Sequence, residues 1–298
     1  MKLAIAGGTG FIGRGLVDLL SGEGHEITVL SRDPDTARPV LGKRVAIREM
    51  RPDVIGELAT ELNGTDAIVN LAGENIGSSL WTRAKRIKIA ASRIRAGQMM
   101  TAIVKSMKGP PGVFVQGSAV GFYGSHGGDL INENSPAGEG FLPEVCVKWE
   151  ESTSAIEAMG VRRVIIRTGV VLSGDGGAFP KLALPYHLHV GTLLGTGRQW
   201  LPWIHYRDEI NAIYFLIKNR NSAGTYNLVA PNPVQMNDLC SLLGLTIFKM
   251  PPRLVRLLLG QMGKETVLVS QRVVPERLLK ENFAFAHSQL PEALESLK

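Results

Sequence analysis

The stretch KLAIAGGTGFIG, residues 2–13, decides the fold. An apolar run with the length of a buried strand is followed at once by glycines at the spacing G-x-x-G-x-x-G. A strand, a tight glycine turn and a helix start in this order let the backbone approach a pyrophosphate and point helix N-terminal amides at it. The stretch therefore predicts a dinucleotide-binding turn, and an ordinary tight turn is the alternative. The predicted binding residues are Gly7, Thr9, Gly10, Phe11, Ile12 and Gly13.

Further apolar runs rich in valine, isoleucine and leucine alternate with longer helical patterns. This alternation predicts an α/β fold in which a parallel, doubly wound sheet of Rossmann type is covered by helices on both faces. The predicted strands are KLAIAG, EITVLS, RVAIRE, DAIVNLAG, GVFVQGSA and RRVIIRTG. The predicted helices run from Phe11 to Ser21, Asp53 to Leu62, Trp81 to Met107 and roughly Leu142 to Met159.

The second half of the chain is less regular. From about Thr168 several glycines interrupt the pattern, and loops of this kind beyond a sheet can assemble a substrate pocket. We therefore expect an NAD(P)-binding Rossmann-type domain over 1–244, with substrate-side loops from about 168, and a small, mainly helical C-terminal substrate lobe over 245–298. Helical patterns at Pro252 to Met262 and Leu290 to Leu297 support the lobe. We expect the leucines of the first pattern to pack against the protein, and a homodimer through them is the alternative.

Composition narrows the choice of partners and compartment. Lys and Arg number 33 against 27 Asp and Glu, and this scattered net charge of +6 suits an anionic cofactor or small-molecule substrate and gives little reason to expect nucleic acid. Two cysteines, far apart, favour a reducing compartment, the cytoplasm. No apolar run reaches the ~20 residues that cross a bilayer, so we expect no membrane partner. His187 and His189 lack further ligands at metal-binding spacing, so we expect no metal.

The end of the second strand indicates which dinucleotide is bound. An acidic residue at this point usually binds the ribose 2′-hydroxyl of NAD. Here Ser31 and Arg32 follow the apolar run instead. A guanidinium can bind a 2′-phosphate through charge-assisted hydrogen bonds, so the sequence favours NADP. The alternative is a solvated Arg32 with Asp33 as the ribose ligand.

Several motifs together resemble a known family. GGTGFIG, NLAG at residues 70–73, SAVGFYG at residues 118–124 and RTGVVL are similar to motifs of extended and atypical short-chain dehydrogenase/reductases. NLAGENI, the pair Ser92-Arg93, FLPEVCVKWE, GRQWLPWIH and SQRVVPERLL more closely resemble the proteins called epimerase family protein. This is the nucleoside-diphosphate-sugar epimerase-like branch with its own short C-terminal domain, and the resemblance covers nearly the whole chain.

The resemblance implies further cofactor-binding residues. Ser31 and Arg32 match the NADP selector of the family. Arg93 matches an arginine on a long helix, and its alternative is a solvated helix arginine. The remaining matched positions are the loop Leu71, Ala72 and Gly73, and Val171 after the sixth strand.

The proton-transfer residues of the superfamily are not all present. In its extended members a tyrosine exchanges a proton with the substrate while a lysine four residues later lowers the tyrosine pKa. Residues 139–152, EGFLPEVCVKWEES, contain no tyrosine, and Glu144 stands four residues before Lys148. Ser118 lies five residues before Tyr123, where relatives have a spacing of four. The catalytic candidates are Lys148, Ser118 and Tyr123, and we expect Lys148 to relay a proton if its side chain faces inward.

Two readings of function follow from these motifs. The first is an NADP-dependent oxidoreductase or epimerase acting on a small polar, nucleotide-sugar-like substrate. Gln199 and Trp200 are candidate substrate residues, with core packing as the alternative. The second is an NADP-binding regulatory or sensor protein without turnover, which the missing tyrosine favours. Tyr214 and Lys218 also have the four-residue spacing, but we expect them in a helix packed against the sheet, where the spacing is accidental.

Overall fold

The computed structural model describes residues 1–297. Strands and helices alternate through its first two thirds, as expected from the sequence. The strands are, in chain order, β1 (Lys2–Ala6), β2 (Glu26–Ser31), β3 (Ala46–Glu49), β4 (Ala67–Asn70), β5 (Val113–Ala119), β6 (Leu130–Ile131), β7 (Arg162–Thr168), β8 (Val170–Leu172), β9 (Thr192–Leu194), β10 (Trp200–Leu201), β11 (Trp203–His205), β12 (Gly224–Leu228), β13 (Val234–Gln235), β14 (Phe248–Met250) and β15 (Arg272–Val273).

The helices are α1 (Phe11–Gly22), α2 (Pro34–Leu41), α3 (Ile55–Glu61), α4 (Arg83–Ser106), α5 (Phe141–Glu151), α6 (Phe179–His187), α7 (Tyr206–Lys218), α8 (Met236–Leu243), α9 (Pro252–Met262), α10 (Glu276–Lys280) and α11 (Leu290–Glu295). Short 3-10 turns occur at Pro52–Val54, Val120–Tyr123 and Ser154–Met159, and a π-helical turn occurs at Gly263–Val267. None of the helices within 1–297 has the length and sustained hydropathy of a membrane-crossing segment.

The central sheet has seven parallel strands in the order β12-β7-β5-β4-β1-β2-β3. The chain starts in the middle with β1, winds outward to β3, and returns to the other side with β4, which is the doubly wound topology. The predicted fold class is therefore confirmed. The sequence predicted six of these strands, and the seventh is β12, which lies beside β7 at the edge.

Alternate side chains of β1 explain the layered core. Leu3 and Ile5 point to the cluster formed with α1 and α7, whereas Ala4 and Ala6 point to the cluster formed with α3 and α4. All four side chains are nearly or fully buried. A strand covered on both faces is continuously apolar because each face lies against a helix layer. Each fully buried leucine or isoleucine of this core stabilises the fold by about 1.5–3 kcal/mol.

The predicted helix over 142–159 ends earlier than expected. Helix α5 stops at Glu151, and a 3-10 turn follows at Ser154–Met159. The hydroxyls of Ser152 and Thr153 donate to the carbonyl oxygens of Trp149 and Glu150 at 2.6 and 3.3 Å. Such side-chain bonds offer the last helical carbonyls partners other than the backbone amides of a continuing helix. The local sequence therefore ends α5 at this point.

The C-terminal region is helical, as predicted, and packs closely onto the preceding part of the chain. Leu278 and Phe283 belong to the central core, and α11 packs in a separate cluster that includes Trp203. The boundary near residue 244 stays a prediction. The expectation that the leucines of α9 are packed was wrong for Leu254, Leu257 and Leu258, which are 40%, 79% and 53% exposed, because α9 packs through the face that carries Val255. Homodimerisation through this face also stays a prediction.

Candidate cofactor and active site

The glycine turn after β1 leaves no room for side chains. Gly7 has φ +84°, and a Cβ atom on it would lie 2.7 Å from the carbonyl carbon of Leu71 and 2.9 Å from the amide of Ala72. A Cβ atom on Gly13 would overlap the carbonyl oxygen of Gly7. The two glycines therefore bring the start of α1 and the loop after β4 into contact with the turn, as the fingerprint requires.

Helix α1 starts in a way that suits an anion. Its N-cap is Gly10, which has no side chain to satisfy the first amides, and its first turn contains no acidic residue. The Gly10 amide itself donates to the Gly7 carbonyl at 3.0 Å. Next to the turn, the Phe11 ring stacks on Tyr206 with a centroid distance of 4.7 Å. The free amides and the helix dipole together favour a phosphate group in front of this end.

The structure at the end of β2 bears on whether Arg32 binds a 2′-phosphate or Asp33 binds the ribose. Asp33 caps α2, and its Oδ1 accepts from the amides of Asp35 and Thr36 at 3.1 and 3.2 Å. Ser31 fixes the same turn by donating to the Asp33 carbonyl at 2.9 Å. Arg32 is exposed and forms no ion pair with any of residues 1–297. The Asp33 carboxylate thus has a local role, while the guanidinium of Arg32 is available for a ligand.

Arg93 is turned inward and is not the solvated arginine of the alternative reading. Its Nη1 donates to the carbonyls of Glu74 and Ile89 at 2.9 and 3.2 Å, and its guanidinium carbon lies 4.9 Å from the Trp149 ring centroid. A Cβ atom on Gly73 would be 3.1 Å from that carbon. Burial lowers the pKa of Arg93. No carboxylate within 1–297 pairs with this cation, so it supplies positive charge beside the loop after β4.

Val171 lies on the same side of the sheet as the glycine turn. It is the central residue of β8 and is buried. A Cβ atom on Gly177 would be 3.1 Å from the Phe11 ring and 3.4 Å from the Val171 carbonyl oxygen. The structure therefore brings the predicted cofactor residues together around the carboxyl ends of the central strands.

Ser118 and Tyr123 belong to one buried hydrogen-bond network with Glu150, Arg167 and Asn227. Ser118 Oγ donates to Glu150 Oε1 at 2.6 Å. Arg167 donates from Nε and Nη2 to the two Glu150 oxygens at 2.9 Å each, and from Nη1 to the Tyr123 hydroxyl at 3.0 Å. The Tyr123 hydroxyl donates to Asn227 Oδ1 at 2.6 Å. We call these five residues the Glu150–Arg167 network.

Within this network Tyr123 has a structural role. Its side chain is fully buried, and both its hydroxyl proton and an oxygen lone pair are already used. Burial raises its pKa, although Arg167 acts in the opposite direction. Tyr123 is thus held as a neutral phenol. Ser118 is the member of the network at the carboxyl end of β5, and its hydroxyl has a direct proton acceptor in Glu150.

Lys148 does not face inward, so the relay predicted for it lacks the required geometry. Lys148 is exposed, whereas Cys146, Trp149 and Glu150 form the buried side of α5. One turn apart on that side, Leu142 and Cys146 both face Gly121, just after β5. Burial raises the pKa of Cys146 to about 12, so its thiol stays neutral near pH 7. The two inward positions of α5 that are four residues apart are therefore occupied by the alkyl side chain of Leu142 and the neutral thiol of Cys146, in place of a tyrosine and a lysine.

Sequence reasoning missed Glu150, Arg167 and Asn227. A signal for Arg167 was present, because a charged residue inside the apolar strand RRVIIRTG, which is buried on both faces, must be paired. Nothing in the local sequence pointed to Asn227, which lies in the strand that was not predicted.

The substrate candidates lie further from the glycine turn. Gln199 is buried, and its Nε2 donates to the Leu194 carbonyl at 2.7 Å, which is a structural role. Trp200 is partly exposed and lines a cavity together with Arg198 and Arg256.

Two other histidines and an aspartate form a cluster that has a structural explanation. Potential metal-ligating atoms of His205, Asp208 and His287 lie within 4.8 Å of one another. Asp208 accepts from the amides of Ala286 and His287 at 2.8 and 2.9 Å, and His205 Nδ1 accepts from the Arg207 amide at 3.1 Å. Burial lowers the pKa of His205 to about 4. These bonds attach the C-terminal segment to the start of α7.

A doubly wound sheet with this glycine turn defines a Rossmann-type dinucleotide-binding protein. More specifically, the chain belongs to the NAD dependent epimerase/dehydratase family, whose model matches residues 3–229. Residues 250–297 match a domain of unknown function, DUF1731.

Similar proteins occur in plants, bacteria and humans. The epimerase family protein SDR39U1 homolog, chloroplastic, of Arabidopsis thaliana is 35% identical over 307 residues, covering 100% of this chain and 86% of that protein. The epimerase family protein YfhF of Bacillus subtilis is 34% identical and covers 100% of this chain and 98% of its own length.

Solved structures agree with these relatives. The human epimerase family protein SDR39U1, crystallised with NADPH, has a TM-score of 0.85 at 30% identity, covering 100% of this chain and 99% of that chain. A nucleoside-diphosphate sugar epimerase from Corynebacterium glutamicum has a TM-score of 0.77 at 29% identity, covering 99% of this chain and 57% of that chain. The resemblance inferred from the motifs is confirmed, and the predicted cofactor is the one in the human structure.

Proposed function

We propose that this protein is an NADP-dependent oxidoreductase or epimerase that acts on a small polar substrate without a tyrosine–lysine pair. The observation that carries the proposal is the shape of the turn after β1, where Gly7 and Gly13 exclude side chains and α1 presents its free amides. A cofactor pyrophosphate is the group such a turn accommodates.

The residues around the turn fit the phosphorylated dinucleotide. Arg32 forms no salt bridge within 1–297 and is available for a 2′-phosphate, with Ser31 shaping the backbone next to it. Arg93 lies beside the loop from Leu71 to Gly73, and Val171 lies close to Gly177 and Phe11 near the start of α1. When bound, the nicotinamide supplies or accepts a hydride.

The proton has a different route from that of the extended relatives. Ser118 is the polar side chain at the end of β5, and its hydroxyl donates a hydrogen bond to Glu150 Oε1 at 2.6 Å. Arg167 binds both oxygens of that carboxylate and keeps it oriented. In the proposed mechanism Ser118 gives its proton to the substrate oxygen as hydride is transferred and regains a proton from water between turnovers, while the Glu150 carboxylate orients the serine hydroxyl. Tyr123 orients Arg167 and does not touch the substrate.

One observation favours a second function. On the inward face of α5, Leu142 and Cys146 have the four-residue spacing that the tyrosine and lysine have in extended relatives. Neither side chain carries a positive charge that could lower the pKa of a neighbouring hydroxyl. This supports an NADPH-binding sensor without turnover, in which bound cofactor orders the surrounding loops. Two buried free cysteines suit the cytoplasm under either function.

Titration and turnover together test the two functions. We expect calorimetry to give tighter binding of NADPH than of NADH, and NADPH consumption with a member of a panel of carbonyl compounds and sugar phosphates. Ser118→Ala should lower turnover by ~10²-fold and leave NADPH affinity unchanged, the scale of losing a positioned acid or base. The exposed Lys148→Met is the matched control and should retain turnover. Tight cofactor binding with neither NADPH consumption nor an epimerised product would favour the sensor, and equal loss in both variants would remove the role of Ser118.

A further inference from the structure

A cavity apart from the glycine turn contains the predicted substrate residue Trp200 in its wall. It is an open cavity with a volume of about 360 Å³, lined by the loop at Gly127, the segment from Thr196 to Trp200, the start of α9 and Ser270. Two arginines, Arg198 and Arg256, line it from different segments of the chain.

The charge around this cavity is one-sided. Arg198 and Arg256 are exposed, and their guanidinium groups form neither an ion pair nor a hydrogen bond with residues 1–297. Arg272, also without an acidic partner in that range, lies with its guanidinium carbon 4.7 Å from the Trp200 ring centroid. The lining includes no aspartate or glutamate among the described residues. Cations converging without a counter-charge create a positive potential that a bound anion relieves.

Trp200 is fixed between these cations by backbone contacts. Its amide donates to Ser270 Oγ at 3.1 Å, and its carbonyl accepts from the Gln271 amide at 3.1 Å. In β10 it pairs with Gln235. A rigid, partly exposed indole supplies apolar surface for a flat group at little cost in conformational entropy.

The cavity wall is tied to the proposed hydride site. The Gln271 side chain donates from Nε2 to the carbonyls of Val120 and Gly124 at 2.8 Å each. Val120 is two residues after Ser118, at the carboxyl end of β5. Gln271, which is hydrogen-bonded to Trp200, is therefore also anchored to the turn that follows the proposed catalytic serine, and it links the cavity wall to that turn.

We propose that this cavity binds a phosphate ester of the substrate, with the phosphoryl group on Arg198 and Arg256 and the adjoining ring on Trp200. Guanidinium groups bind phosphate oxygens with matching geometry, and a phosphate monoester carries enough charge for two of them. The inference rests on the proposed function, because it assigns the cavity to the substrate of that reaction.

Calorimetry on the protein saturated with NADP⁺ tests the inference, since the oxidised cofactor fills the first anion site. The probes are phenyl phosphate, benzoate and inorganic phosphate. We expect phenyl phosphate to bind about tenfold or more tightly than either other probe. Arg198→Gln and Arg256→Gln should each weaken it by about tenfold, the scale of one charge-assisted hydrogen bond. Arg253→Gln, an exposed arginine of α9 outside the cavity, is the matched control and should bind as the unmodified protein does.

The opposite results overturn the inference in identifiable ways. Absence of phenyl phosphate binding refutes the site, and an equal loss in Arg253→Gln shows a general charge effect. Benzoate binding as tight as phenyl phosphate shows a carboxylate site instead. NADP⁺ is titrated into the protein before each experiment, and this titration measures the cofactor site separately. If NADP⁺ does not bind, the proposed function fails, and the probes are then titrated into the cofactor-free protein to test the cavity by itself.

Discussion

Replacing Arg32 by aspartate should convert an NADPH-selective site into one that no longer distinguishes NADPH by its 2′-phosphate. Arg32 is exposed and forms no salt bridge within 1–297, so the substitution breaks no internal hydrogen bond or ion pair. Within the protein it removes only the through-space attraction between Arg32 and the Glu74 carboxylate. Asp33 keeps its capping bonds to α2, so the backbone of the selector turn is retained.

The magnitude follows from two contributions. Loss of a charge-assisted hydrogen bond to phosphate costs about 1.5–3 kcal/mol. A new carboxylate at roughly 5 Å from the phosphate adds repulsion of about 1 kcal/mol per unit charge at the high dielectric of an exposed site. The sum is about 3 kcal/mol, or ~10²-fold in the NADPH dissociation constant. NADH lacks the phosphate, so its affinity should change by less than about threefold.

Calorimetric titration of both cofactors measures this difference. Arg38→Asp makes the same charge change in the last turn of α2, away from the selector turn, and serves as the control for long-range electrostatics. NADPH affinity should also fall with added salt more steeply in the unmodified protein than in Arg32→Asp. Equal losses for NADPH and NADH, or an equal effect of Arg38→Asp, would refute the assignment of Arg32 to the 2′-phosphate.

Two further variants test the turn and the core. Gly7→Ala should lower the free energy of unfolding in a urea titration by about 1–3 kcal/mol and abolish cofactor binding, because Gly7 has a positive φ and a Cβ there would meet the loop after β4. Gly22→Ala is the control: a Cβ at Gly22 has open space, so this variant should stabilise the protein by up to about 1 kcal/mol in the same titration. Burial raises the pKa of Glu209 from 4.5 to about 8, so between these pH values the folded protein keeps a proton that the unfolded chain has lost, and its stability falls by up to about 1.4 kcal/mol per pH unit. Glu209→Gln should remove that fall when unfolding is compared near pH 5 and near pH 9, and an unchanged slope would show that Glu209 is ionised in the fold.

The parts of the fold that local patterns determine were predictable from the sequence. Strand β1 and the glycine turn are contiguous, and their apolar run and spacing identify them without tertiary information. Strand β12 was missed because GTYNL is short and contains Asn227, whose side chain serves the Glu150–Arg167 network. Its strand conformation depends on pairing with β7, whose paired residues lie 60 positions earlier in the chain. The short pairs such as β9 with β14 have the same origin.

The cofactor half of the candidate site was accessible for the same reason, whereas the catalytic half was not. The prediction for Lys148 rests on analogy with a lysine that follows a tyrosine by four residues. Because α5 contains no tyrosine, its sequence does not fix how this helix aligns with that of the extended relatives. The sequence nevertheless predicts which face of α5 is buried, because Val145, Cys146 and Trp149 form an apolar face and Lys148 lies on the solvent-exposed side. The partners of Ser118 come from two other segments of the chain, and only the folded arrangement brings them together.

Transfer of deuterium from NADPH labelled at the nicotinamide C4 position tests the central claim most directly. The labelled cofactor is incubated with the protein and a panel of carbonyl-bearing phosphate esters, and products are analysed by mass spectrometry. If the protein is a redox enzyme that uses Ser118, one deuterium should appear in a product. The Lys148→Met variant should form this product at the rate of the unmodified protein, and the Ser118→Ala variant should form it ~10²-fold more slowly. Tightly bound NADPH that transfers no deuterium to any member of the panel would contradict the claim and identify a binding protein.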